Sequence, residues 1–200
     1  MKKTQVGLLA LAITVGLFSC IKKETVTFQD SLVEFDAAVL NTNNAYTPGK
    51  DATLGRLANP LDSIAFPILT RQPAIGRAVT GSDANITRTS GSVRLRVNLV
   101  GATRKSPTEV TYTTMSKSDY TLIGVPSNTN GQATAGTHYG TLNGKFTIPA
   151  DSSWGYLDVP ITDPGVSSTT AQEVVFRLTG GTDVRPNRNY SIVGIRIAQN

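Results

Sequence analysis

One histidine and one cysteine, His138 and Cys20, are all that 200 residues offer for the commonest side-chain chemistry. A hydrolytic triad would have to take His138 as its base. That residue stands in Ala133-Thr134-Ala135-Gly136-Thr137-His138-Tyr139, a glycine-bearing corner whose structural needs already account for its neighbours. Zinc fares no better, since one histidine, no free thiol and scattered acids lack the usual ligand set. There is no Gly-x-Ser-x-Gly elbow, phosphate loop or His-Glu-x-x-His run. Two carboxylates would suffice for a glycosidase, but one small domain with few acids leaves little room for a cleft around them. The expectation is a chain with no catalytic residue, not an enzyme.

Cys20 has a different chemistry. Lys2 and Lys3 precede the apolar run Val6 to Phe18, the charged and hydrophobic regions of a secretory signal peptide. The run is shorter than the roughly 20 apolar residues of a spanning helix, and Lys22, Lys23 and Glu24 soon follow it. Leu17-Phe18-Ser19-Cys20 resembles the bacterial lipobox, with Leu three positions before the cysteine and a small residue just before the cut. Its thiol would take a diacylglycerol, and each buried methylene then adds about 0.8 kcal/mol of membrane affinity. Residues 1–19 are therefore expected to be a signal peptide, Cys20 the lipidated residue and 20–24 a tether, with a single domain over 25–200. No disulfide can form, so the core alone must hold the fold.

Cleavage would remove Lys2 and Lys3 and no acid, so 19 basic residues become 17 against 14 acidic ones, a net charge of +3. That is too mild to argue for nucleic acid. Arg94, Arg96, Arg104 and Lys105 lie near one another, yet no aromatic is interleaved with them in sequence. They read as the solvated face of a sheet.

The elements that must carry these residues are strands. Val93, Leu95, Val97 and Leu99 alternate with Arg94, Arg96 and Asn98 within Ser92 to Val100, the period of a half-buried strand. Further strands are expected over 25–28, 32–40, 64–69, 109–115, 120–123, 145–148, 155–161, 173–179 and 190–198. They are short, rich in Val, Ile, Thr and aromatics, and separated by Gly, Pro, Asn and Ser. No stretch of the mature chain keeps a helical apolar period for three turns. The fold expected is all-β, an antiparallel sandwich of two sheets, with a closed barrel as the lesser alternative. A transmembrane barrel is disfavoured by arginine on the strand face that would meet lipid or lumen. Residues 41–60 and 72–91 read as irregular. Trp154, Tyr156, Tyr112, Tyr120, Tyr139 and Tyr190 are candidates for carbohydrate stacking or, alternatively, core and corner residues; Trp154-Gly155-Tyr156, just after a loop, is the foremost.

A resemblance lies in Ala133 to Tyr139, Gly144-Lys145-Phe146-Thr147-Ile148-Pro149-Ala150-Asp151, Leu157 to Asp163 and Glu173-Val174-Val175-Phe176-Arg177-Leu178. Together these resemble the Calx-beta type of β-sandwich, over roughly 110–198. Independently of the family, Gly136 suits a left-handed corner, Tyr139 can bury its ring and bond its hydroxyl back, and Pro149 suits the start of a strand. In calcium-binding members of that family, acids cluster at one end of the sandwich. Here His138 replaces the usual Asp, and Asp163 is followed by Pro164 and Gly165 with no second acid. No cofactor is expected; calcium is the minor alternative and would need Asp151, Asp163, Glu173 and Asp183 to gather.

A lipobox followed by one such domain is similar to small lipoproteins of the Bacteroidota, in which comparable proteins accompany outer-membrane glycan and nutrient uptake systems. That resemblance implies an outer-membrane, lipid-anchored chain, its side of the membrane undetermined, with glycan or uptake proteins as partners. It also implies O-glycosylation at Asp-Ser-apolar sites, which makes Ser31 and Ser63 candidate acceptors. Two functions follow: a binding module accessory to uptake, or an adhesion and protein-interaction module with no small ligand.

Overall fold

The computed structural model describes residues 30–36, 38, 40, 66, 68–122 and 129–200, the side chains of 120–122 excepted. The expected strand at 25–28, the irregular stretch 41–60, Cys20 and Ser63 lie outside these residues. In chain order the elements are β1 (Leu32–Phe35), β2 (Ile68–Leu69), β3 (Ser92–Val100), β4 (Thr108–Met115), α1 (Lys117–Leu122), β5 (Gly131–Gln132), β6 (Lys145–Ile148), β7 (Trp154–Pro160), β8 (Gln172–Gly180), β9 (Arg185–Pro186) and β10 (Ile192–Ile197).

They form two sheets. The smaller runs β7-β3-β1-β9; the larger runs β2-β10-β8-β4-β6, with β5 also pairing β8. The long pairings are antiparallel, as the hydrophobic alternation predicts. Three short ones are parallel, β1–β9, β2–β10 and β5–β8, so both sheets are mixed. Val93, Leu95, Val97 and Leu99 from the smaller sheet meet Val174, Phe176, Leu178, Val193, Ile195 and Ile197 from the larger in one core. Phe176 lies at its centre, edge-on to Tyr112 (centroids 6.0 Å) and Tyr139 (6.4 Å). The sandwich is held by burial of alternate side chains from both sheets.

Several expectations need correction. The stretch at 120–123 is not a strand: α1 occupies Lys117–Leu122. Its start is legible in hindsight. Asp119 accepts the Ser116 amide (2.7 Å) and the Asp119 amide donates back to the Ser116 hydroxyl (3.4 Å), a reciprocal cap. The Ser116 hydroxyl and amide also hold the Asp119 carboxyl below its usual range. Strand β1 ends at Phe35 instead of reaching Leu40, because Asp36 turns the chain by accepting the Ala38 amide (3.1 Å). Pro149 follows β6 instead of opening a strand. Residues 173–176 are buried without alternation, since Phe66, Met115, Ile68 and Ile192 cover Val175 on the outer face of the larger sheet. The segment 72–91 is irregular, as read, touching the rest through isolated bridges such as Thr87 to Ala198. Gly136 takes the left-handed backbone (φ 81°), and Tyr139 is buried with its hydroxyl against Thr114.

Because Phe176 fills the space between the sheets, Phe176→Ala should cost about 3–5 kcal/mol of stability. Urea unfolding should register it as a lower midpoint at nearly unchanged slope.

Candidate functional site

The outer face of the smaller sheet carries the polar half of β3. Burying Val93, Leu95, Val97 and Leu99 obliges Ser92, Arg94, Arg96 and Asn98 to point the other way. Strand β7 pairs with β3 in the register Arg94↔Asp158, Arg96↔Tyr156 and Asn98↔Trp154, with Leu157 opposite Leu95 and Gly155 opposite Val97 on the inner side. Gly155 is needed there. A Cβ on it would come within 3.0–3.1 Å of Ile148 and of the Thr147 carbonyl, so its absence lets β6 pass close beneath β7. Trp154 and Tyr156 are thereby committed to the outer face.

The outcome is a layered cluster of cations and rings. The Arg94 guanidinium lies 4.9 Å from the centre of Tyr156, and that of Arg96 lies 5.1 Å from the centre of Trp154. The two rings meet edge-on, 5.3 Å apart. Each guanidinium is also pinned from the side. Arg94 Nε donates to Asp158 (2.6 Å), and Arg96 Nε reaches Asp36 (3.1 Å) and Asn98 (3.3 Å). The Asp158 carboxylate holds the Arg94 pKa above its ordinary value. Asp36 is nearly buried, whereas Trp154 remains 39% exposed.

One wall rises beside this face. The segment Pro73–Gly76 and the side chains of Arg94, Arg96 and Tyr156 line a shallow cleft of about 10 Å³, room for about one water-sized group. That is far below the roughly 300–1,000 Å³ of a small-molecule pocket, so the surface suits one face of an extended ligand rather than an engulfed one. The wall is anchored on both sides, at Gln72 and at Arg77. Arg77 Nη1 donates to Asp83 (2.9 Å), as does the Thr80 amide (2.7 Å), and the Gln72 amide donates to the Ala84 carbonyl (2.8 Å). The Arg77 guanidinium, followed by the Thr80 amide, holds the Asp83 carboxyl far below the usual carboxylate range.

Trp154 and Tyr156 are therefore brought together, as the sequence suggested, while Arg94 and Arg96 are more than solvated charges. Their stacking aromatics come from the neighbouring strand, where interleaving along the chain could not reveal them. The other stacking candidates separate. Tyr112 and Tyr139 belong to the core, Tyr190 is exposed at the turn before β10, and the Tyr120 side chain lies outside the described residues. His138 uses Nδ1 to accept the Thr134 amide (3.0 Å) within its corner. Asp151 pairs with Lys105, Asp163 with Arg88, Asp183 with Arg104, and buried Glu173 with Arg196 and Asn130. Among the described residues no three or more His, Cys, Asp or Glu side chains come together as metal ligands. Ser31 sits half-buried at the entry to β1, its carbonyl accepting the Arg185 amide (3.0 Å).

No protein-family model matches the chain, and no curated protein matches it. Among solved structures it is similar to the apo-form Calx CBD1 domain, at 18% identity and a TM-score of 0.42, over 57% of this chain and 88% of that one. CBD12 from CALX1.2 is similar at 18% identity and 0.42, over 56% of this chain and 40% of that one. A putative carbohydrate binding protein from Bacteroides ovatus is similar at 12% identity and 0.40, over 54% of this chain and 31% of that one. The matches thus span less than half of the two longer proteins. The domain type that the sequence motifs resemble stands among these structures; at such identities and scores the likeness assigns no ligand.

If the stack is an energetic unit, a double-mutant cycle with Arg96→Ala and Trp154→Ala should give a coupling of about 0.5–1 kcal/mol. Thermal or urea unfolding of the four chains measures it.

Proposed function

We propose that this chain is a lipid-anchored binding protein of the bacterial outer membrane whose β3–β7 face holds a glycan. The observation that carries the reading is the exposed Trp154 beside Tyr156, framed by Asn98, Arg96, Arg94 and Asp158. Aromatic faces receive the apolar side of a sugar, and fixed donors and acceptors around them receive its hydroxyls. Anchoring through Cys20 would place the face at a membrane carrying uptake proteins, for which a non-enzymatic glycan binder is an accessory.

Because Trp154 is the only tryptophan, its fluorescence reports the face directly. Quenching by acrylamide should be efficient in the free chain and fall when a recognised polysaccharide is added, and Trp154→Ala should weaken that binding by about tenfold, the equivalent of 1.4 kcal/mol. A tryptophan indifferent to every polysaccharide tried would sink the glycan reading. For the anchor, Cys20→Ala should release the chain from the membrane fraction and abolish incorporation of labelled fatty acid.

A further inference from the structure

This inference rests on the glycan reading of the β3–β7 face and specifies the ligand's charge. Three features bear on it. Among the described residues the only charged side chains lining the cleft are Arg94 and Arg96; the rest of the lining is Pro73–Gly76 and Tyr156. The acids nearest the two arginines are already engaged on their Nε sides, Asp158 by Arg94 and Asp36 by Arg96. The outward ends remain available: among the described residues no hydrogen bond engages Nη1 of Arg94 or either Nη of Arg96.

A cleft with a surplus of donors and few side-chain acceptors is mismatched to a neutral sugar, whose hydroxyls must both donate and accept. It is matched to a group that only accepts. Stacking on Tyr156 and Trp154 fixes both guanidinium planes beforehand, so little side-chain freedom is lost on binding. The two arginines are next-but-one on the same strand face, about 7 Å apart along β3. Among acceptor-only groups, a planar carboxylate fits the planar fork of a guanidinium through two parallel bonds. The small excess of basic residues that remains after loss of residues 1–19, 17 against 14 acidic ones, slightly favours approach of such a ligand.

We propose that the ligand is a uronate-bearing polysaccharide, one of whose carboxylates docks on the Nη edges of Arg94 and Arg96 beside the Pro73–Gly76 wall, while its sugar ring lies toward Trp154. The Nε–carboxylate pairs are positioning contacts that hold the arginines for this purpose.

The test is calorimetric titration of the full chain in detergent micelles with polygalacturonate and with its fully methyl-esterified form, which keeps the sugar and removes the charge. The acid should bind at least about tenfold more tightly than the ester, the size of one charge-assisted contact. Arg96→Gln and Arg94→Gln should each erase most of that preference, weakening binding of the acid far more than binding of the ester, in chains whose circular dichroism still shows the folded sheets. Lys105→Gln, an equal change in net charge at an exposed side chain outside the cleft, should leave the preference intact, and polyglutamate should not compete. Equal binding of acid and ester, or a preference that survives both arginine substitutions, overturns the uronate assignment and leaves a neutral-glycan platform standing. Competition by polyglutamate also overturns it, in favour of an acidic protein partner. Binding of neither polymer nor of any neutral glycan overturns both readings.

Discussion

Seven residue pairs join β3 to β7, and the site depends on their register. A slip of one residue would turn Arg94 and Arg96 against Leu157 and Gly155 and present Val93, Leu95 and Val97 to water, because strand side chains alternate between faces. The core therefore fixes the surface. Every apolar side chain that β3 sends inward constrains which partner its polar neighbours meet outside. Gly155 adds a second constraint, since a Cβ on the inner side of β7 at that position would press within 3.0–3.1 Å of β6 and require it to give way. The layered arginines and aromatics are a consequence of packing on the opposite side of the same sheet.

That arrangement is not explained by stability. Exposed cation–π pairs contribute about 0.5–1 kcal/mol and the exposed Arg94–Asp158 pair about as little, so only the Arg96–Asp36 pair, whose carboxylate is nearly buried, bears much on folding. A solvated face could equally carry Thr, Lys and Glu. What the cluster provides is order: each guanidinium is held between a ring and a carboxylate, with its outward end left open. Fixed donors beside an exposed ring serve recognition better than mobile ones, because the entropy of placing them is lost on folding rather than on binding. The opposite face of the molecule differs. There Phe66, Met115 and Ile68 cover the outer side of β8, so among the described residues the two outer faces are not equivalent.

Strand β3 was legible to the residue because its alternation runs without a break through Ser92 to Val100, and β4, β6, β7 and β8 were placed to within a residue or two for the same reason. Of the two-residue strands, β2 lies within the strand expected over 64–69, whereas β5, β9 and all three parallel pairings had no signal, since pairing across the chain leaves no local period. Helix α1 was missed although Ser116 and Asp119 announced it, because Tyr120 to Ile123 offered a rival strand pattern of β-branched and aromatic residues. At the site, Trp154 and Tyr156 were visible from composition and position alone. Arg94 and Arg96 read along the sequence as solvated charges because their stacking partners are supplied across the register of β3 and β7. The Pro73–Gly76 wall had no signal, being an irregular segment brought beside the sheet by contacts distant in sequence.

The central claim is that one defined patch, the outer face of β3 and β7, receives the ligand. Backbone amide shifts of the isotope-labelled chain, followed as soluble uronate oligosaccharides are added, test it most directly. The account predicts that the largest shifts cluster at Arg94, Arg96, Trp154, Tyr156 and Ala74 to Gly76 and saturate together. Shifts concentrated instead at the far loops, around Asp163 and Asp183, or spread evenly over the surface, would contradict it.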